Sequence, residues 1–346
     1  MCNKLFPGAH PEMFFCTLVG DIRPRGMDTC GRMKHASPSS PRGTTPRRFA
    51  LLPPAALVLS LGLVASKLAA QPGGPEGPGG SFALSEASAS YSFSSDGDVG
   101  RNGKIGSAGI GHYEFEASFF LPAPATWMFS SALSWKRDEL DLTGAVPLPT
   151  KLEEIGINFM AVKDLSHEIG SGWSAMAILS PGFSSDSVRL SGDSFSLLAI
   201  ATIGKEVSPT FSWNVGVVGK TRGDMKAIPM IGLRWSFAPG WELAVGFPRT
   251  GVTYKFSEAL SLNAGVSFLG GTYYLAKAPA AGLGNTYLDY QEIRFGLGAE
   301  YQISRSLSAV MEGGATIDRS FDYYDRNLKL DGKSAGYGRL GLRYRF

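Results

Sequence analysis

Residues 336–346 read Gly-Tyr-Gly-Arg-Leu-Gly-Leu-Arg-Tyr-Arg-Phe and end the chain. Leu340, Leu342, Tyr344 and Phe346 fall on one side of an extended backbone, and Arg339, Gly341, Arg343 and Arg345 on the other. A period of two is the mark of a half-buried strand. The same alternation recurs upstream. Tyr113, Phe115, Ala117, Phe119 and Leu121 oppose Glu114, Glu116 and Ser118; Ile231, Leu233, Trp235 and Phe237 oppose Met230, Gly232, Arg234 and Ser236. Leu262, Ala264, Val266 and Phe268 oppose Ser261, Asn263, Gly265 and Ser267. From residue 81 onward no segment keeps apolar residues at helical spacing for three turns. The chain reads as all-β.

Composition narrows the class. Of 346 residues, 44% are hydrophobic and only 18% charged, which excludes a wholly disordered chain. Residues 1–70 hold nine of the 33 basic and three of the 30 acidic residues, leaving 24 and 27 for the rest. The basic excess therefore lies in the leader, and nothing argues for a nucleic-acid partner. Arg47 and Arg48 precede the apolar run Phe49–Ala65, and small residues follow at Ala69-Ala70. This is the layout of a cleaved signal peptide over 33–70, too short and too proline-broken for a membrane anchor. Residues 1–32 carry all three cysteines and read as an overextended start or disordered leader. Residues 71–81 are a Pro/Gly tether, so the exported body (82–346) has no cysteine for a disulfide or a thiolate metal site.

A soluble sandwich would also alternate, and loop lengths separate the two. Tight links at 303–306, 257–260, 238–240 and 207–209 alternate with long ones at 319–334, 271–287, 220–229 and 183–193, while 248–251 is short. Short turns at one end and long loops at the other characterise a membrane barrel. Strands are expected at 82–94, 109–121, 126–136, 153–163, 172–182, 194–206, 210–219, 229–237, 241–247, 252–256, 260–270, 288–302, 306–318 and 335–346. That makes about 14, or 12 if the short pair at 241–256 does not span. The expected fold is a transmembrane antiparallel up-and-down β-barrel.

The C-terminal pattern Leu340, Leu342, Tyr344, Phe346 resembles the terminal signature of bacterial outer-membrane β-barrels, which implies recognition by the barrel-assembly machinery. The run Gly246–Tyr254 (Gly-Phe-Pro-Arg-Thr-Gly-Val-Thr-Tyr) with Leu260-Ser261-Leu262 resembles uncharacterised, porin-like barrels of Gram-negative bacteria, a domain-of-unknown-function family. The resemblance implies an outer-membrane location with lipid as a partner. It supplies no activity.

If the apolar face of each strand meets lipid, the opposite face is the lumen, because a basic side chain at mid-membrane costs about 2–4 kcal/mol. Parity then puts Glu114, Glu116, Arg234, Glu242, Lys255, Glu292, Arg294, Glu300, Glu312, Arg339, Arg343 and Arg345 inside. Arg294 is expected diagonally close to Glu312. These charges either cross-brace the interior or select a permeant ion. His112 is expected near the outer rim on the face of Glu114, and His167 in a periplasmic turn; neither has a nucleophile at a compelling spacing. No phosphate loop, zinc spacing or calcium loop is present, so no cofactor is expected, and the acidic stretch Asp318–Asp331 reads as a solvated outer loop. The leading expectation is a passive pore or narrow transporter for small solutes and not an enzyme. The alternatives are a non-conducting structural or surface-interaction barrel and a lipid-modifying barrel enzyme.

Overall fold

The computed structural model describes residues 82–346 except 102, 125, 188–189 and 224–226; the leader, signal peptide and tether expected over 1–81 lie outside the described residues. The strands are β1 (Ala83–Gly100), β2 (Gly106–Leu121), β3 (Trp127–Gly144), β4 (Lys151–Asp164) and β5 (Trp173–Ser185). They continue as β6 (Phe195–Ser208), β7 (Phe211–Lys220), β8 (Ala227–Ala238), β9 (Trp241–Val245) and β10 (Arg249–Lys255). The last are β11 (Leu260–Leu275), β12 (Thr286–Gln302), β13 (Leu307–Tyr323), β14 (Leu328–Gly332) and β15 (Gly336–Arg345).

Each strand from β1 to β13 pairs antiparallel with its sequence neighbours. The barrel closes through β15, which pairs with β13 from Leu307↔Tyr344 to Ala315↔Gly336 and with β1 from Glu86↔Arg345 to Ser94↔Tyr337. β14 fills the same wall position further out, bonded to β13 at Arg319–Tyr323 and to β1 at Val99–Gly100. The segments β14 and β15 are thus one strand interrupted at 333–335, and the wall has fourteen positions. β9 and β10 count among them, since each is hydrogen-bonded on both sides. Closure leaves no free strand edge around most of the circumference.

The C-terminal residue lies at the end that carries the tight turns. The Phe346 N–H donates to Ser85 O, and the connections 209–210, 239–240, 256–259 and 303–306 are short. His167 lies there too, in the single helical turn Ser166–Ile169. At the other end the strands are longer than the sequence suggests. β1 runs to Gly100, β2 begins at Gly106, β3 runs to Gly144 and β13 to Tyr323, so the links expected after the strand ends at 94, 136 and 318 shrink.

The reason is a change of chemistry along one face. On β12, Phe295 and Leu297 point outward (48% and 62% exposed), while Arg294 and Glu292 point inward. Further out the inward positions become Tyr290 and Leu288, both buried, and the outward ones Gln291 and Asp289. Above the bilayer the barrel therefore has a water-soluble protein's polarity. Val99, Ile110, Leu140, Leu152, Tyr273, Leu288, Phe321 and Leu330 form a hydrophobic cluster within that outer end. Val146 and Leu148 of the β3–β4 connection fold onto it, and the Tyr323 hydroxyl bonds Pro147 O at 2.5 Å.

Candidate functional site

Beneath the hydrophobic cluster lies a buried ionic cluster centred on Glu292. Arg294 Nε donates to Glu292 Oε1 at 2.6 Å, and Arg319 Nε donates to Glu292 Oε2 at 3.0 Å. Thr316 Oγ1 and the Tyr290 hydroxyl complete the carboxylate's shell at 2.9 and 2.5 Å. Arg294 Nη1 reaches Ser92 at 3.1 Å; Arg319 reaches Ser94 at 2.5 Å and the Ala108 carbonyl at 3.1 Å. The Glu292 and Arg319 side chains have no solvent exposure and Arg294 has 2%. The cluster ties β12 and β13 to β1 and β2 across the lumen. Buried charges of both signs persist only when paired and hydrogen-bonded in this way.

Two further contacts cross from wall to wall. The Tyr273 hydroxyl on β11 donates to Asp138 on β3 at 3.4 Å, and His112 on β2 stacks on Tyr290 of β12 with centroids 6.2 Å apart. The barrel is pinched here, and a single parallel bridge, Tyr274↔Ser185, joins β11 to β5 further out.

Next to the pinch is a lumenal cavity of about 560 Å³. Its charged lining is largely paired. Arg339 meets Glu114 at 3.3 Å, Arg249 meets Glu312 at 3.1 Å and Lys136 meets Glu154 at 3.7 Å. His112 Nδ1 donates to Asp138 at 2.6 Å. The Tyr337 hydroxyl donates to Glu312 at 2.5 Å, and its ring lies 4.8 Å from the Arg294 guanidinium. Gly296 makes room for that ring: a methyl group there would collide with the Tyr337 hydroxyl.

The residues picked out by parity fall into separate groups. Glu114, Arg294, Glu312 and Arg339 line the cavity. Arg343 pairs with Glu86 and Glu300 at 3.3 and 2.9 Å, and Arg345 with Glu86 at 3.3 Å, near the short-turn end. Arg234 pairs with Glu242 at 3.3 Å on another stretch of wall. Glu116 accepts from Ser118 at 3.3 Å, and Lys255 is exposed at the base of β10.

Three expectations need correction. Arg294 does not meet Glu312, because Arg294 registers with Thr316 and Glu312 with Gly298; Arg294 turns to Glu292 instead. His112 is not at the rim but in the cavity wall, since β2 continues outward to Gly106. Arg319 is not in a solvated loop but fully buried, because β13 extends past a bulge between its pairings at Asp318 and Thr316. Its sequence signal is the alternation Arg319, Phe321, Tyr323, which continues the inward face. The His112–Asp138 pair has the orientation of a base and its anchor, yet His112 Nε2 contacts no hydroxyl among the described residues. No group of three metal-ligating side chains occurs among the described residues.

Residues 124–340 match the family model of a domain of unknown function, DUF6268. The chain belongs to this family. DUF6268 residues include nearly the whole wall from β3 to β15 and the Gly246–Tyr254 run that builds the β9–β10 turn. No curated protein matches the sequence. Among solved structures, a TodX monoaromatic hydrocarbon channel deletion mutant is 10% identical, covering 76% of this chain and 91% of its own, with a TM-score of 0.47. An outer-membrane channel from Pseudomonas putida F1 is 10% identical over 79% of this chain and 100% of its own, TM-score 0.43. A Pseudomonas aeruginosa FadL homologue is 13% identical over 76% and 90%, TM-score 0.42. The barrel assignment for this DUF6268 member rests on its own strand register, not on these distant likenesses.

Proposed function

We propose that this barrel is a narrow outer-membrane transporter for small solutes, exported by a cleaved signal peptide and acting without a cofactor. The observation that carries the reading is the cavity. At about 560 Å³ it has the size of a small-molecule site, and it sits inside a barrel whose outer lumen is filled on one side by the hydrophobic cluster. An open aqueous pore would leave the lumen continuous, as in barrels of 16–18 strands. Here a solute must fit a lined compartment of paired charges, glycines and serines, which favours selective passage over bulk diffusion.

The packed outer end also favours a second reading, a non-conducting barrel whose surface is the working part. Planar-bilayer recording of the refolded protein separates the two. Small, discrete conductance steps that solutes of cavity size block are expected for the transporter. A silent bilayer together with no solute flux into proteoliposomes would refute it.

A further inference from the structure

Two buried nitrogens on residues that line the cavity have no hydrogen-bond partner among the described residues: His112 Nε2 on β2 and Arg294 Nη2 on β12. Both side chains flank Ser92. Arg294 Nη1 donates to the Ser92 hydroxyl at 3.1 Å, and Ser92 is the direct cross-strand partner of His112. A buried polar group left without a partner costs about 1–3 kcal/mol. Two of them beside one cavity define what a bound solute has to bring.

The two nitrogens need opposite partners. A guanidinium is always protonated, so Arg294 Nη2 only donates and needs an acceptor. His112 gives its Nδ1–H to Asp138 at 2.6 Å, so the neutral ring presents a lone pair at Nε2 and needs a donor. A hydroxyl group supplies both. A carboxylate has no proton for Nε2, and its charge counts against it as well. Asp138 and Glu292 already balance Arg294 and Arg319, so a third anion here would be unmatched.

The remaining free polar surface is of the same kind. Asn158, Ser180, Ser184, Ser196 and Ser267 line the cavity, and none of their side chains is hydrogen-bonded to another described residue. Gly156, Gly182 and Ser196 lie side by side on β4, β5 and β6, with Ser180 and Ser184 on either side of Gly182. This wall is hydroxyl groups and bare backbone, and such groups both donate and accept. The acids of the lining, Glu114, Asp138, Glu154 and Glu312, are instead taken by Arg339, His112, Lys136 and Arg249. Arg222 is held by two carbonyls and the Tyr287 hydroxyl. Lys220 has no carboxylate beside it among the described residues, and its ammonium donates to a hydroxyl oxygen as it would to an anion.

We propose that the cavity binds a small neutral polyol, of the size of one sugar ring, an assignment of solute class that rests on the transporter reading. One hydroxyl donates to His112 Nε2, and that hydroxyl or its neighbour accepts from Arg294 Nη2. The others bond the serine wall of β5 and β6.

The exported body has no cysteine, so Ser180→Cys puts a single reporter thiol in the cavity and Glu300→Cys puts one in the lumen outside it. Ser196→Cys replaces the first if it gives no heat-modifiable band. The refolded variants are labelled with N-ethylmaleimide in the presence of inositol, succinate or toluene. Inositol should slow labelling at 180 about fivefold when its concentration is about four times Kd, and leave 300 unchanged. Succinate and toluene should leave both unchanged. His112→Phe keeps a ring against Tyr290 but removes the acceptor, and should weaken inositol binding roughly three- to tenfold, the scale of one net hydrogen bond. If that variant does not fold, Ser184→Ala with Ser196→Ala in the Ser180→Cys protein should weaken it in the same way. Stronger protection by succinate or by toluene than by inositol would overturn the neutral polyol. Protection by none of the three, or equal slowing at 180 and 300, would mean that water alone fills the site. Inositol protection without inositol flux into proteoliposomes keeps the site and refutes the transporter reading.

Discussion

Glu292→Gln is the substitution whose consequence the structure specifies most closely. The carboxylate accepts from Arg294, Arg319, Thr316 and Tyr290 and lies between two guanidinium groups with 2% and no side-chain exposure. The amide keeps the shape but supplies one accepting oxygen and no charge. Two guanidinium nitrogens sit 2.6 and 3.0 Å from opposite oxygens of one carboxylate. At an effective dielectric near 20 and a separation of at most about 8 Å they repel by about 2 kcal/mol or more once the carboxylate charge is gone. Lost charge-assisted bonds add to this, which puts the total near the 3–5 kcal/mol typical of breaking a buried ion pair from one side. Reversible urea unfolding of the refolded barrel in detergent would read it as a lowered midpoint at unchanged slope. The combined variant Glu292→Leu, Arg294→Met, Arg319→Leu should recover most of the loss, since an apolar replacement strands no charge. A loss below about 1 kcal/mol for Glu292→Gln would refute the reasoning, because the two arginines would then have water or other anions to turn to.

Other expectations follow from the same geometry. Gly296→Ala should lower stability by about 1–3 kcal/mol, because the added methyl meets the Tyr337 hydroxyl; the same denaturation assay reads it, and an unchanged midpoint would mean that Tyr337 is not held there. Leu297→Cys should react with a lipid-borne thiol reagent and Glu300→Cys with a water-soluble one; the reverse pattern would invert the faces of β12. Deleting Phe346 removes a backbone bond to Ser85 and a ring packed 4.7 Å from Tyr344, and should reduce the heat-modifiable fraction recovered from outer membranes.

The wall of this barrel was readable because one rule acts along its membrane-spanning part. A basic side chain facing lipid is costly, so Phe295 and Leu297 must oppose Arg294 and Glu300, and register follows from parity. The rule lapses where strands leave the bilayer. There Tyr290, Leu288, Ile110 and Leu140 face inward on the side that carries charge lower down, and Gln291 and Asp289 face water. Alternation survives but its meaning reverses, and reading every apolar face as outward ends the strands too early. That is why Arg319 looked like a loop residue. The ionic cluster was hidden for another reason: Ser92, Glu292 and Arg319 are far apart in sequence, and only closure of the barrel through β15 brings β1 against β12 and β13.

The pinch and the low wall at β9–β10 bear on each other. Packing Tyr290, Phe321 and Leu330 against Val99 and Ile110 draws β11–β14 onto β1–β3 and leaves that half of the outer lumen without space. At the outer end β11 also crosses to β5 at Tyr274↔Ser185, so the space that remains in the lumen lies below that bridge, along β4–β8 and the short hairpin. The cavity lies there, against the stretch of wall that is lowest. Phe247 and Pro248, in the turn where the chain reverses after the five residues of β9, line the cavity themselves, so the length of this hairpin fixes part of the cavity's wall as directly as the charged residues do.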